Sequence, residues 1–142
     1  DQFPNGLYPG KTIGEILLTP TAIYVKEILS LLKNVEVHGL AHITGGGLRN
    51  FNRLNKNVQY VIDDSFTPHD VFSFLQKTGN VDDKEMYQTF NMGMGFAVII
   101  PASEKEKALS ILKKEPNYTV KQVGRIEKGS GVVFPSKNLT FP

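Results

Sequence analysis

The run Gly45-Gly46-Gly47 sits at a change of hydrophobic period, and that change constrains the fold more than any other feature of the chain. Before it, Val35, Val37 and then Leu40 alternate with Glu36 and His38, the pattern of a strand. After it, Leu48, Phe51 and Leu54 recur at i, i+3 and i+6, as on a short helix. Glycine loses more conformational freedom on folding than any other residue. Three together need a compensating gain, either from close packing or from something bound by the backbone.

Both remain open from the glycines alone. At a helix start the first N–H groups lack intrahelical partners and carry the positive end of the dipole, which makes an anion site. Hydrogen bonds to a charged partner contribute about 1.5–3 kcal/mol each, so a few would offset the ordering cost. No Gly-Lys-Ser/Thr follows, so the run is not the ATP-binding P-loop, and it is not the dinucleotide fingerprint either. The other reading is a flexible turn where helix and sheet pack closely.

Charged and polar neighbours extend both readings. His38 and His42, on an extended chain, share a face about 13 Å apart, too far for one ion. No other ligand cluster supports a metal site, so none is expected. Each histidine is either a neutral, hydrogen-bonded ring or a group beside a bound phosphate or moving a proton. Arg49 and Arg53 are four apart on one helical face, suited to phosphate oxygens or to solvent. A second glycine cluster, with Asn91, Gly93 and Gly95 before Phe96, implies close approach of a ligand or a neighbouring strand. Asp63 and Asp64 end a predicted strand, where a turn is favoured over a ribose or metal contact.

Elsewhere the spacing predicts a helix over much of 21–33 and a strand at Val58, Tyr60 and Ile62. Thr67-Pro68 reads as a helix start with Gly79 as its stop, and Asp82 as the cap of a short helix through Tyr87. Phe96 to Ile100 is a wholly apolar strand, and Ser103 with Glu106 forms a capping box for a helix burying Ala108, Leu109 and Leu112. Strands at 118–126 and 132–134, joined across Gly129 to Gly131, give a closing hairpin, with a last extended piece from Leu139 to Phe141. The fold class is α+β, a mixed sheet covered by helices. Residues 1–15, with two prolines and three glycines, read as an irregular lead-in or interdomain linker, and 16–142 as one domain.

Composition narrows the function classes. A net charge of +2 is too weak to argue for nucleic acid. With no cysteine there are no disulfides or thiolate metal sites, and a reducing, cytoplasmic setting is expected. No signal-peptide pattern and no apolar run near 18 residues suggests secretion or a membrane. The sequons at Asn117 and Asn138 read as chance.

Three stretches together resemble a known family. Residues 14–26 (GEILLTPTAIYVK), 38–47 (HGLAHITGGG) and 75–95 (LQKTGNVDDKEMYQTFNMGMG) are similar to signature segments in the C-terminal domain of the aminoimidazole ribonucleotide synthetases, or phosphoribosylformylglycinamidine cyclo-ligases. The likeness runs from about residue 9 to 126. After the glycines the family commonly has a glutamate and then Asn-x-Pro-Arg. Here Asn50 and Arg53 fit, Asn52 replaces the proline, and the segment is one residue short, so Arg49 has no firm counterpart. Glu27 stands where proline is common.

The resemblance implies an ATP-dependent ring closure in purine biosynthesis, converting formylglycinamidine ribonucleotide to aminoimidazole ribonucleotide. It implies two α/β domains with a cleft between them. ATP and Mg²⁺ sit mainly in an N-terminal domain, which also carries the main contact of a homodimer; these 142 residues do not include it. By the same resemblance Thr44, Gly45, Gly46 and Gly47 hold the substrate's ribose phosphate, supported by Asn50 and Arg53. His42 stabilises charge or moves a proton, and His38, Asn91 and Gly93 line the cleft. The alternatives are the corresponding domain of thiamine monophosphate kinase, selenophosphate synthetase or formylglycinamide ribonucleotide amidotransferase, or a non-catalytic module that binds a nucleotide or a protein.

Overall fold

The computed structural model describes residues 8–114 and 118–142. Residues 1–7 of the lead-in and the sequon residue Asn117 lie outside them. The rest of the lead-in is less irregular than expected. Helix α1 (Ile13–Leu17) begins within it, fixed by a capping box in which the Thr12 hydroxyl accepts from Glu15 N and the Glu15 carboxylate accepts from Thr12 N.

Helix α2 (Val25–Leu32) falls inside the predicted 21–33 span. It sets the fully buried Leu31 against Val35 and against Ala108 of α5 (Lys105–Leu112). Strand β1 (Gly39–His42) pairs antiparallel with β3 (Phe96–Ile99), with Gly39 opposite Ile99 and His42 opposite Phe96. The glycines then turn the chain into a 3₁₀ helix, Gly47–Arg53, rather than an α-helix.

A four-stranded sheet holds the second half of the fold. Its order is β4 (Gly124–Lys128), β2 (Val58–Ile62), β5 (Gly131–Phe134), β6 (Leu139–Phe141). Strand β2 runs antiparallel to β4 and parallel to β5, while β5 and β6 are antiparallel. The expected hairpin across Gly129–Gly131 is therefore corrected: β4 and β5 flank β2 and do not pair. The closing hairpin is instead β5–β6, turned through Asn138 at φ +54.

Two helix starts also differ from expectation. Helix α3 (Asp70–Gly79) opens at Asp70 with His69 at its N-cap, because Thr67 and Pro68 are packed against the turn at Gly93. The Ser103–Glu106 capping box does not form. A 3₁₀ turn, Ala102–Glu104, absorbs Ser103, and α5 starts behind it with no side-chain cap. Helix α4 (Asp83–Thr89) starts as read, with the Asp82 carboxylate accepting from Glu85 N at 2.8 Å.

The main core joins Tyr60, Ile62, Val132, Phe134 and Phe141 of the larger sheet to Ile43, Leu48 and Phe51 around the glycines. Met86 and Tyr87 of α4 close it. Burying each such side chain stabilises the fold by about 1.5–3 kcal/mol. The architecture is α+β, as the periodicities indicate. Among the described residues no helix is long and apolar enough to cross a membrane.

Candidate functional site

The end of β1 delivers His42, exposed, to the rim of the glycine turn. Its ring stacks on Phe96, its cross-strand partner, with centroids 5.8 Å apart, and meets Tyr24 edge-on at 5.8 Å. The next residue anchors the turn: Ile43 is 1% exposed and its N–H donates to Gly95 O at 3.0 Å.

The three glycines have three environments. Gly45 is exposed, and a Cβ on it would meet nothing within 4 Å. Gly46 takes φ +104 and lies beneath Asn50 and the Arg53 guanidinium. Gly47, at φ +50, is buried against the C-terminal end of α4, where a Cβ would overlap Tyr87 O. The close-packing reading holds for one of the three. Gly47 serves packing, and Gly45 with Gly46 leaves backbone open.

Asn50 explains how the open part keeps its shape. It is 3% exposed, and its Nδ2 donates to Gly47 O at 2.7 Å and to Thr44 O at 3.3 Å. The Gly47 N–H closes the turn on Thr44 O at 3.0 Å. With its donor engaged by two carbonyls, Asn50 braces the loop and offers no N–H to an anion. Among the described residues nothing accepts from the N–H of Gly45 or Gly46, and neither Arg49 nor Arg53 faces a carboxylate.

His42, Thr44, Asn50 and Arg53 line one hollow of about 260 Å³, with Leu40 and Leu54 as apolar wall. Four residues chosen from sequence therefore converge, and Arg49 is not among them. The hollow combines a guanidinium, a hydroxyl and an imidazole. A guanidinium is chemically suited to an anion, and an imidazole to proton transfer.

The remaining candidates lie elsewhere. His38 Nε2 sits 2.9 Å from Glu36 Oε1, and the residue borders a separate, broad depression together with Gly93. Asn91 is turned inward to its own loop, its Oδ1 accepting from Gly93 N at 3.0 Å. At Gly93, φ is +93 and a Cβ would come 3.2 Å from Thr67 O, so the close neighbour is chain. Asp63 pairs with Arg125, and Asp64 pairs with Lys121 at 2.7 Å, so both serve as structural ions. Among the described residues no three His, Asp or Glu side chains converge as metal ligands.

Sequence reasoning missed Tyr24. A Cβ on Gly95 would overlap its hydroxyl, so that glycine makes room for it. The ring also lies 5.1 Å from Phe96 and 5.3 Å from Tyr118, and burial, then Tyr118, holds its phenol above the usual tyrosine range. The available signal was its place in the Ile23–Lys26 stretch (IYVK) that carries part of the family resemblance.

The fold class is α+β, with a braced glycine turn beside a hollow that holds one guanidinium and one imidazole. A family model described as AIR synthase related protein, C-terminal domain, matches residues 1–136, and the chain belongs to that family. It is similar to the phosphoribosylformylglycinamidine cyclo-ligase of Methanopyrus kandleri, 47% identical over 133 residues, which cover 94% of this chain and 37% of the relative. The Methanococcus maripaludis S2 protein of the same name is 51% identical over 131 residues, 92% of this chain and 37% of the relative. That of Thermoplasma acidophilum is 45% identical over 141 residues, 99% of this chain and 40% of the relative. The chain thus spans about two-fifths of the length of the curated relatives it matches.

Proposed function

We propose that this chain supplies the C-terminal half of an ATP-dependent cyclo-ligase that closes the imidazole ring of formylglycinamidine ribonucleotide in purine biosynthesis. The observation carrying this reading is the hollow lined by His42, Thr44, Asn50 and Arg53 next to the braced glycine turn, in a chain whose relatives bear the cyclo-ligase name. Thr44, Gly45 and Gly46 take the ribonucleotide's 5′-phosphate, and Arg53 neutralises it. Asn50 holds the turn in shape, and Gly47 fixes it to α4.

His42 stands at the hollow's rim, supported by Phe96 and Tyr24, and moves a proton or stabilises charge as the ring closes. Positioning and charge stabilisation suffice for such a step, without a protein nucleophile. ATP supplies the phosphoryl group that activates the formyl oxygen. ATP and Mg²⁺ belong, in this reading, with an N-terminal domain. The working enzyme is a cytoplasmic homodimer in this reading.

Arg53 is exposed, so its loss leaves the fold intact. Removing one charge-assisted contact of about 1.5–3 kcal/mol weakens binding of inorganic phosphate roughly 10- to 100-fold in Arg53→Ala, measured by titration calorimetry. Joined to the ATP-binding region of a relative, the chain forms the aminoimidazole product in an ATP-dependent way. Phosphate affinity indifferent to Arg53→Ala, or no product from any complete version, would overturn the proposal.

A further inference from the structure

The exposed large apolar side chains of the described residues are concentrated in one stretch of the chain. Leu17, Leu18, Ile23, Val25, Leu29 and Leu32 are 46–82% exposed, and Ile126 alone lies outside that stretch. Single exposed leucines are normal, but a contiguous apolar patch marks an interaction surface. From Leu17 to Val25 the chain carries no charged residue.

Helix α2 is apolar on two sides. Leu31 faces inward to Ala108, while Val25, Leu29 and Leu32, spaced four and three apart, form a second stripe in water. Helix α1 buries no residue at all, although both partners of its capping box are in place. A helix this short does not hold itself by propensity. The segment between the two is nonetheless fixed. Tyr24 is seated over Gly95, and the Tyr118 hydroxyl donates to Ile23 O at 2.7 Å. The result is a preformed apolar ledge on a backbone held from behind.

The occupant follows from chain length. The matched region is the C-terminal domain and only 37% of the Methanopyrus kandleri relative, so more than half of that protein lies N-terminal to it. Helices α1 and α2 are the first described elements, the ones nearest such a region along the polypeptide. We propose that α1, residues 18–24 and the outer face of α2 form the docking ledge for an N-terminal region of the kind these relatives carry, which meets it with an uncharged, apolar face. The inference rests on family membership and on exposure, and does not need the ring-closure reading to hold.

The experiment joins this chain to the N-terminal region of the Methanopyrus kandleri relative and compares hydrogen exchange over residues 13–32 with that in the chain alone. Exchange there is expected to slow at least tenfold in the joined protein. The pair Leu18→Lys and Leu29→Glu should restore the faster exchange in the joined protein. It should leave the Tm of the chain alone unchanged, because both side chains already sit in water. Ile126→Lys should change neither. Unchanged exchange on joining, or protection that survives the charged pair, overturns the proposal. So does a dimer of the chain alone that the same pair abolishes, since the ledge would then belong to a second copy. Absence of ring closure with protection intact would defeat the reaction proposed above and leave the docking ledge standing.

Discussion

Gly47 is buried at φ +50, and a Cβ on it would overlap Tyr87 O and come 2.8 Å from Phe90 O, both backbone atoms that cannot swing away. Left-handed strain and overpacking each cost about 1–3 kcal/mol, so Gly47→Ala is expected to lose roughly 2–6 kcal/mol, read from the urea midpoint. Gly45→Ala is the matched control. Its φ is not in the left-handed region and the space is open, so its midpoint should stay within about 0.5 kcal/mol of the parent. Equal losses at both positions would refute the division of labour drawn for the turn. His42, Thr44 and Arg53 were legible as one group because a short loop keeps sequence neighbours near in space. Asn50 was expected, from the resemblance, to support the loop, but which of its amide atoms meets the loop carbonyls depends on backbone geometry that spacing does not encode. The resemblance assigned His38 and Asn91 to the cleft; in the structure His38 pairs with Glu36 and Asn91 accepts from Gly93 N, and neither lines the hollow beside the glycine turn.

Helix α4 is the element on which the turn leans. It buries Met86 and Tyr87, and the carbonyls at its C-terminal end wall in Gly47. Its start depends on the Asp82 carboxylate receiving Glu85 N, so Asp82→Ala should cost about 1 kcal/mol. Hydrogen exchange is expected to quicken in α4 and in the Gly47–Arg53 helix together; quickening confined to α4 would show that the two are not coupled. This cap was readable because it is local, one side chain and one N–H three residues on. Strand β2 was readable from the alternation of Val58, Tyr60 and Ile62, although Val61 between them is buried as well. Alternation does not report which strand is the neighbour, and there the reading failed. Strands β4 and β5 sit on either side of β2, about 9.6 Å apart at the usual strand spacing. The three Cα–Cα steps from Lys128 to Gly131 reach about 11 Å, so the crossing is nearly straight. Gly129 makes it over the side chain of Gln59, where a Cβ would stand 3.1 Å from Gln59 Cβ. A glycine pair looks the same in a hairpin turn as in such a crossing.

At the scale of the whole molecule the question is whether the two buried clusters, one around Leu31 and one spanning the larger sheet and α4, melt as one. Three tyrosines report on it from different places. Tyr24 lies beside β1 and β3, Tyr60 lies in β2 against Phe51, and Tyr87 lies in α4 against Phe134. Burial is the largest cause raising each phenol above its ordinary value. A raised folded pKa means the folded state holds its proton more tightly than the unfolded chain, whose tyrosines ionise near pH 10. The resulting stability is fully present below about pH 10 and is lost as pH rises through the folded values. Tm should therefore be level from pH 7 to about 9.5 and fall beyond it, in one transition seen alike by far-UV and near-UV circular dichroism. Lysines also titrate there, so the diagnostic is the difference between variants. Tyr24→Phe and Tyr87→Phe should each make the alkaline fall shallower across the whole transition. Tyr60→Phe should do the same and also lower Tm at neutral pH, because the hydroxyl's 3.1 Å bond to Asn55 O is lost. If Tyr24→Phe flattened only an early, separate transition, the part of the fold near α2 would be melting independently of the larger sheet.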